Sequence, residues 1–577
     1  MSKTKKIILS FLLTTFFVAT KGLAYDSPIY SSYARFHPVV AQNGMVATQE
    51  KHATQVGLNI LQEGGNAVDA AIGIAYSLAV TLPRAGNIGG GGFMLIYSKK
   101  DNKVYTIDYR EKAPAAAHKD MFLNPDGSMN NDLSRNSLKA SGVPGTVAGL
   151  ELAYKKFASL PRKDLIEPAI RLAKDGFTVG HDLARSLEVA RPRMKASPAS
   201  MKIFYSKEGI APKLGTKLVQ KDLAKSLKLI SKKGEKGFYE GAMAKKIVKF
   251  MKKNDGLITS DDLKNYKAIL REPIKGQYKN YTIYSMPPPS SGGIHLVQLL
   301  NILENFPLRI EGHNSAESIH LMVEAMKYAY ADRSKHLGDP DFIDVPLYDL
   351  LSKEYSLKIA KSIQRDKTTS SNRILPSSFK KQYNEGDETT HFTVMDRFGN
   401  IVSNTYTLNF SYGNKIVVPG TGMLLNNQMD DFSAKPGVKN AYGLIGGAAN
   451  KIEPNKRMLS SMTPTIVFKD GEPYLATGTP GGSRIITTIL QVLLNTMEYN
   501  MNIAEASSAQ RVHHQWLPDI LFIEKGFNED TKEKLIKKGH QIKETRAMGS
   551  TQSIVKENGY FFGYSDPRKE GALTKGF

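Results

Sequence analysis

The sequence has 577 residues, with 78 Lys and Arg against 55 Asp and Glu, and its formal charge is +23. Hydrophobic residues make up 41% and charged residues 23%, which is ordinary globular usage and excludes a disordered or fibrous protein. The cysteine count is 0, so disulfides, zinc–thiolate sites and a cysteine nucleophile are excluded as well.

The first element is a predicted secretory signal peptide. Lysines near the start precede an uncharged apolar run over residues 7–20, and small residues follow near Ala24. The run is shorter than the ~20 apolar residues that a bilayer-spanning helix needs. We therefore expect residues 1–24 to be removed and the mature protein to be soluble in the periplasm or secreted, without stable membrane insertion.

The positive charge does not by itself indicate a nucleic-acid partner. In the predicted helix over residues 245–253, for example, lysines are interspersed with apolar residues that can face inward. Such a helix has a solvated basic face, so we expect no nucleic acid among the partners. Excess positive charge can instead attract anionic small molecules.

A helix and two strands are predicted next. Asn66 is the expected N-cap of a helix whose apolar residues recur at spacings of three and four until Pro83. Residues 93–97 and 104–109 have the composition of strands.

The middle of the chain, from residue 145 to 335, is predicted to be mainly helical. Expected breaks in this helical pattern lie at Pro144, Pro161, Pro192 and residues 287–293. Asn314 and Glu317 form a predicted capping box in front of a further helix.

The composition changes at residue 365. Residues 365–388 are rich in Lys, Ser, Thr, Asn and Asp and bury too little apolar surface to offset their ordering entropy, so we expect an exposed, flexible linker. Strands dominate the chain after it. The expected elements are hairpins over residues 391–407 and 463–477, a helix over 483–497, and strands at 553–555 and 560–564.

Several catalytic signatures are absent from the sequence. It contains no His-Glu-x-x-His, no Gly-x-Ser-x-Gly and no Gly-x-x-x-x-Gly-Lys-Ser/Thr motif. His513 and His514 are adjacent, so they point in different directions and make a poor metal pair. We therefore expect neither a metal nor a cofactor.

A mechanism is available where the predicted linker ends at Glu388 and Thr389 begins a strand. A cut between these two residues would give Thr389 a free α-amine with a pKa near ~8. This amine could accept the proton of the residue's own hydroxyl, so that one residue supplies both nucleophile and general base. Threonine at a strand start also fits simple β-propensity.

Other polar clusters could complete such a site. Gly481 and Gly482 join a predicted strand to a helix, where unpaired amides suited to an oxyanion collect. Residues 426–433 offer amides and carboxylates suited to an ammonium group. Donors suited to a carboxylate are offered by Arg110, Ser460 and Ser461. Each cluster alone also fits ordinary turn chemistry.

These stretches together closely resemble the γ-glutamyltransferase (γ-glutamyltranspeptidase) family of N-terminal nucleophile hydrolases, in its bacterial periplasmic form. The resemblance covers most of the mature chain and keeps the family's order. Its motifs are residues 41–52, 87–93, 108–114, 286–293, 389–392, 424–436, 455–457, 460–462 and 480–487.

The resemblance implies that the precursor cleaves itself between Glu388 and Thr389. Thr389 would then attack the γ-amide of glutathione or a related compound, including glutamine, and pass the γ-glutamyl group to water or to an amino acid or peptide. The implied catalytic residues beside Thr389 are Thr407, Gly481 and Gly482. The implied ligands of the substrate are Arg110, Ser460 and Ser461 for its α-carboxylate and Asn409, Gln428 and Asp431 for its α-amine.

The implied fold is α+β, a four-layer αββα sandwich. Residues 25–388, ending in the linker, would be the large subunit and residues 389–577 the small catalytic subunit of one intertwined heterodimer. Residues 435–455 resemble the family's lid loop, which holds Tyr442. Two residues depart from the family pattern, near the lid and the serine pair: Ala448 and Met458.

Two alternatives stay open. A related acylase with the same nucleophile would act on glutaryl or poly-γ-glutamyl substrates. Asn409, Gln428 and Asp431 argue against the glutaryl version, because that substrate has no α-amine. An exported binding protein would keep the pocket and never be cut, since the sequence does not record cleavage.

Overall fold

Two antiparallel sheets of seven strands each lie at the centre of the structure. The computed structural model describes residues 34–376, 388–433 and 448–577. The strands of this part of the chain are β1 (Val39–Ala41), β2 (Gly44–Thr48), β3 (Gly91–Ser98), β4 (Lys103–Asp108), β5 (Phe177–Thr178), β6 (Lys217–Leu218), β7 (Ile269–Arg271), β8 (Ile274–Tyr278), β9 (Tyr281–Ser285), β10 (Glu388–Asp396), β11 (Ile401–Asn409), β12 (Thr465–Lys469), β13 (Glu472–Thr477), β14 (Val512–His513), β15 (Leu521–Ile523), β16 (Ile542–Glu544), β17 (Gln552–Glu557), β18 (Tyr560–Ser565) and β19 (Leu573–Gly576).

The helices of the described residues lie between these strands in the sequence, often several in succession. They are α1 (Lys51–Gln62), α2 (Ala67–Thr81), α3 (Asn131–Asn136), α4 (Thr146–Phe157), α5 (Arg162–Asp175), α6 (His181–Met194), α7 (Pro198–Phe204), α8 (Lys221–Lys233), α9 (Lys236–Tyr239), α10 (Gly241–Lys253), α11 (Ser260–Asn265), α12 (Gly292–Leu303), α13 (Leu308–Glu311), α14 (Ala316–His336), α15 (Leu347–Leu351), α16 (Lys353–Ser362), α17 (Arg484–Met497), α18 (Ile503–Ser508) and α19 (Glu529–Lys537). None of them is long and apolar enough to cross a bilayer.

The sheet order places the predicted hairpins at the centre. One sheet runs β19-β2-β10-β11-β3-β4-β7 and the other β1-β18-β17-β13-β12-β9-β8. The hairpin β10–β11 turns at residues 397–400, and β12–β13 turns at 470–471, so both predicted hairpins are confirmed. β10 pairs with β2 on its other edge, and β11 pairs with β3.

Helices cover the outer face of each sheet, which confirms the predicted four-layer αββα sandwich. Successive residues of β10 point to opposite faces. Val394 packs outward in the apolar cluster that holds α2, whereas Met395 packs inward between the two sheets. The outer face of the second sheet packs against α12, α14 and α17.

Local capping predictions were confirmed at one helix and wrong at another. Asn66 caps α2, because its side chain accepts hydrogen bonds from the amides of Val68 and Asp69. The capping box predicted at Asn314 is wrong. Asn314 takes a left-handed φ of 51°, and Ser315 is the N-cap of α14, accepting from the Ser318 amide.

The break predicted at Pro192 is also wrong, because α6 runs on to Met194. A proline in the last helical turn removes one backbone donor. The carbonyl oxygen that would have accepted this hydrogen bond belongs to exposed Glu188, so water can reach it.

The predicted exposed linker is packed at its start. Ser371 and Ile374 are buried, and the Ser371 amide donates to the Asp519 carboxylate at 2.8 Å. The Trp516 indole donates to the Ser371 carbonyl oxygen at 2.8 Å. Composition alone missed these long-range contacts. Residues 377–387 lie outside the described residues.

The strands on either side of residue 388 are interleaved. β10, β11 and β19 lie between or beside β2, β3 and β4 in one sheet, and β17, β13 and β12 adjoin β9 and β8 in the other. The backbones of the two parts of the chain also approach each other closely. A Cβ on Gly90 would lie 2.0 Å from the Thr407 carbonyl oxygen, which only glycine permits.

Candidate active site

A small pocket opens at the end of the β10–β11 hairpin. It brings together nine residues predicted as site residues, and they are Arg110, Thr389, Thr407, Asn409, Gln428, Asp431, Ser460, Ser461 and Gly482. Met462 and Ile485 complete the lining. Gly481 lines the adjoining cleft instead. The predicted lid residue Tyr442 lies outside the described residues.

A break in the strand pairing aims Thr389 into the pocket. Glu388 pairs with Asn409 and Thr390 with Tyr406, so the register shifts between them and leaves Thr389 outside the regular ladder. Such bulges re-aim a side chain and are common next to active sites. Thr389 is 6% exposed and lines the pocket. Its hydroxyl is therefore held where a small substrate would bind.

The neighbouring strand supplies Thr407 and Asn409. The Thr407 hydroxyl accepts a hydrogen bond from the Asn409 amide at 2.8 Å. Asn409 takes a left-handed φ of 78°, and its side-chain amide donates to the Asn427 carbonyl oxygen at 3.0 Å. This turn ends β11 and fixes both side chains beside Thr389.

Arg110 and Asp431 form a buried ion pair at one side of the pocket. The Arg110 guanidinium donates to the Asp431 carboxylate at 2.5 Å and to the carbonyl oxygens of Met458 and Leu459. Met458 departs from the family pattern, yet it is buried and its carbonyl still holds Arg110. Positive and negative groups side by side suit a zwitterion, because each can exchange its partner for one end of the ligand.

Gln428 adds an unused acceptor beside Asp431. Its side-chain nitrogen donates to the Asp431 carboxylate at 2.6 Å. Its buried side-chain oxygen has no hydrogen-bond partner among the described residues. A buried unpaired acceptor costs free energy, so an ammonium group that donates to it would be favoured.

The serine pair follows Leu459 in the sequence and has a support that the sequence analysis missed. Buried Arg333 donates to the hydroxyls of Ser291 and Ser461 at 2.9 and 3.2 Å. Ser461 lines the pocket, so Arg333 orients a predicted carboxylate ligand. A signal existed, since Arg333 continues the apolar series of α14 at helical spacing.

The glycine turn forms the remaining wall. Gly481 and Gly482 have φ of 135° and 57°, which side chains rarely adopt, and α17 begins two residues later at Arg484. Gly482 lines the pocket. Backbone amides at such a helix start carry unsatisfied donors and the positive end of the helix dipole. The turn can therefore stabilise an oxyanion.

The nearby histidine is not a general base. His391 is buried, and its ring nitrogens bond to the hydroxyls of Thr405 and Thr393. Burial lowers the pKa of His391 to about 3, which keeps the ring neutral. Among the described residues that line the pocket there is no histidine, lysine or glutamate.

A second carboxyl lies behind the pocket at Glu111. Its side chain is fully buried, and its nearest cation is Arg110 at 3.7 Å. Burial raises the pKa of Glu111 to about 7, although Arg110 opposes the shift. The sequence analysis assigned this residue no role, although it lies in the motif over residues 108–114.

We expect Glu111→Gln to flatten the pH dependence of stability. The folded protein binds the Glu111 proton more tightly than the unfolded chain, so this contribution is complete below pH 4.5 and is lost as the pH rises through about 7. The difference is at most about 3 kcal/mol at pH 8. Thermal unfolding at pH 5 and pH 8 measures it. The variant should lose less Tm between the two pH values than the unmodified protein, and equal losses would contradict the assignment.

One group elsewhere has potential metal ligands. His320, Glu324 and His540 are buried with ligand atoms within 4.8 Å of one another. The Lys327 ammonium lies 3.0 Å from the Glu324 carboxylate and competes with any cation. The predicted lack of a metal stays a prediction.

Comparison with known proteins identifies the family of the chain. The family model described as gamma-glutamyltranspeptidase matches residues 53–576. A glutathione hydrolase proenzyme of Escherichia coli is 53% identical over 94% of this chain and 93% of its own length. A protein of the same name from Pseudomonas sp. strain A14 is 43% identical over 98% of this chain and 99% of its own length.

Solved structures also resemble this chain. The cephalosporin acylase of Bacillus halodurans has a TM-score of 0.83 at 27% identity, covering 96% of this chain and 99% of that one. A Helicobacter pylori gamma-glutamyltranspeptidase structure has a TM-score of 0.56 at 44% identity, covering 59% of this chain and 97% of that one. The chain therefore belongs to the gamma-glutamyltranspeptidase family.

Proposed function

We propose that this protein is a self-processing γ-glutamyltransferase with glutathione hydrolase activity. It cleaves the γ-glutamyl amide bond of glutathione and related compounds, including glutamine, and transfers the group to water or to an amino acid or peptide. The observation that carries the proposal is the joint presence of Thr389 and the Arg110–Asp431 pair in one pocket. The names of the close relatives support it.

The first step is self-cleavage before Thr389. The Thr389 hydroxyl oxygen bonds to the carbonyl carbon of Glu388 while the peptide C–N bond breaks, and the hydroxyl proton moves to the nitrogen, which becomes the α-amine of Thr389. Water then hydrolyses the resulting ester. This step frees the Thr389 hydroxyl and creates its α-amine, a base placed next to the hydroxyl in a pocket lined by no described histidine, lysine or glutamate.

The same hydroxyl then attacks the γ-carbonyl of the substrate. The Thr389 amine takes the hydroxyl proton and passes it to the leaving amine as the C–N bond breaks. Amides of the turn at Gly481 and Gly482 stabilise the oxyanion. The γ-glutamyl ester on Thr389 is released by water or by the amine of an acceptor, and Thr407 positions the nucleophile through its hydroxyl.

The substrate head fits between two sets of ligands. Arg110, Ser460 and Ser461 bind the α-carboxylate, and guanidinium can hold both of its oxygens. The α-ammonium binds Asn409, Gln428 and Asp431. Binding replaces the present Arg110–Asp431 contact with two contacts to the ligand, so the buried charges stay paired.

The processed protein is a heterodimer of residues 25–388 and 389–577. Both pieces contribute strands to both central sheets, which supports their staying associated after the cut. The signal-like residues 1–24 support export to the periplasm.

A comparison of donors tests the proposal against the acylase alternative. We expect γ-glutamyl-4-nitroanilide to be cleaved at least about 100-fold faster, in kcat/KM, than glutaryl-4-nitroanilide, because the second compound leaves the buried Gln428 acceptor unpaired. Release of nitroaniline measures both rates. Faster cleavage of the glutaryl compound would favour an acylase, and no cleavage of either by a processed protein would contradict both.

A further inference from the structure

An open groove lies between α7, α10 and the loop that follows β11. Its volume is about 710 Å³, within the range of about 300–1,000 Å³ that small-molecule sites occupy. Its walls are mostly apolar, and the larger apolar side chains there are Leu138, Pro198, Phe250, Ile416, Val417 and Pro419. The groove shares no lining residue with the pocket at Thr389, so it is a separate site.

The helix α10 contributes three lysines to the groove. Lys246, Lys249 and Lys253 lie three and four residues apart, so they share one face of the helix and span about 10 Å along it. Lys246 donates to the Gly420 carbonyl oxygen at 2.7 Å, which uses one of its three donors. Lys249 and Lys253 are exposed, and no ion pair joins either of them to a carboxylate of the described residues.

The charge of these lysines is not compensated inside the groove. Among the described residues that line it there is no carboxylate. Asp255 follows the lining residue Asn254 in the sequence, but it pairs with Lys139 at 2.7 Å. The other polar side chains that line the groove have protein partners, and they are Ser137, Ser197 and Asn254. A ligand therefore meets an apolar wall and a positive potential that favours anions.

We propose that this groove binds a single-chain anionic amphiphile, an alkyl carboxylate of the fatty-acid type. The alkyl chain packs on the apolar wall, where each CH2 group removed from water adds to the affinity. The carboxylate lies among the ammonium groups of the three lysines. A small anion would leave the wall in contact with water, and an uncharged chain would leave the lysines without a counter-charge. Only a ligand with both parts satisfies both, and the assignment is independent of the catalytic chemistry proposed above.

Three ligands test the two parts of this assignment. Decanoate carries the chain and the charge, hexanoate keeps the carboxylate but lacks four CH2 groups, and decanol keeps the chain but lacks the charge. Isothermal titration calorimetry on the purified mature protein measures the Kd of each, with decanoate below the concentration at which it forms micelles. We expect decanoate to bind at least about tenfold more tightly than hexanoate or decanol.

Two double variants of α10 test the lysines. Lys249→Gln with Lys253→Gln removes two charges from the groove, and we expect the Kd of decanoate to rise about tenfold. Lys245→Gln with Lys252→Gln is the matched control, because these lysines are exposed on the same helix and do not line the groove. The Kd of decanoate in this control should stay within about twofold of that of the unmodified protein.

A third variant tests the wall by adding a charge to it. Ala199 lines the groove in the first turn of α7, where an aspartate suits the helix dipole, so Ala199→Asp should fold. Its carboxylate repels an anionic ligand, and we expect the Kd of decanoate to rise at least about tenfold. Thermal unfolding checks that each variant is folded.

Three results would overturn the assignment. Equal Kd values for decanoate in the two double variants would show that the groove lysines do not bind the carboxylate. Equal Kd values for hexanoate and decanoate would show a simple anion site that makes no use of the apolar wall. No measurable binding of decanoate to the unmodified protein would remove the site altogether. None of these results bears on the pocket at Thr389.

Discussion

Thr389→Ala should abolish both turnover and chain cleavage. The variant lacks the hydroxyl that the start of β10 presents to the pocket, so neither the Glu388–Thr389 bond nor a γ-glutamyl amide meets a nucleophile. We expect kcat to fall at least about 10,000-fold. Denaturing electrophoresis should show a single uncut chain, and nitroaniline release from a γ-glutamyl anilide should be lost.

Thr390→Val is the matched control for this variant. Thr390 is the next residue of the same strand, but it is buried in regular pairing with Tyr406, and its hydroxyl has no hydrogen-bond partner in the described structure. Valine has the same shape, so cleavage and turnover should stay within about twofold of the unmodified protein. Full turnover by Thr389→Ala, or equal loss in both variants, would refute the assigned nucleophile.

Arg110→Lys should raise KM strongly and leave self-cleavage intact. Lysine keeps the positive charge beside Asp431 and Glu111 but loses the planar fork that binds two carboxylate oxygens. We expect KM for a γ-glutamyl anilide to rise at least about 30-fold. Self-cleavage involves no substrate carboxylate, so two fragments should still form.

Arg135→Lys is the control for Arg110→Lys. Arg135 pairs with the adjacent Asp430 at 3.4 Å but does not line the pocket. The KM of the Arg135→Lys variant should therefore stay within about twofold of that of the unmodified protein. An unchanged KM in Arg110→Lys would show that the guanidinium does not bind the substrate head.

Much of the local structure could be predicted from the sequence, because short-range rules decide it. Turn residues between β-rich runs gave the β10–β11 and β12–β13 hairpins, and the Asn66 cap follows from side-chain bonds to neighbouring amides. The polar residues of the pocket come from distant stretches, and their association was implied by family resemblance rather than by spacing.

The remaining features depend on long-range packing. Ser371 and Ile374 lie in a polar stretch but are buried by contacts with a segment near Trp516, which composition cannot reveal. Gly481 faces the cleft although it adjoins Gly482, because the backbone turns sharply between them. This adjoining cleft gathers side chains from α6, from the α17 start and from the residues after β18, far apart in the sequence.

The central claim is that cleavage before Thr389 converts its backbone amide into a free α-amine, which acts as the catalytic base. Mass spectrometry of the purified, active protein tests it most directly. The account predicts a small fragment that begins at Thr389 with a free amine and ends at Phe577, present in proportion to the activity. Full activity in a preparation whose small fragment begins at any other residue, or whose chain is intact, would contradict it.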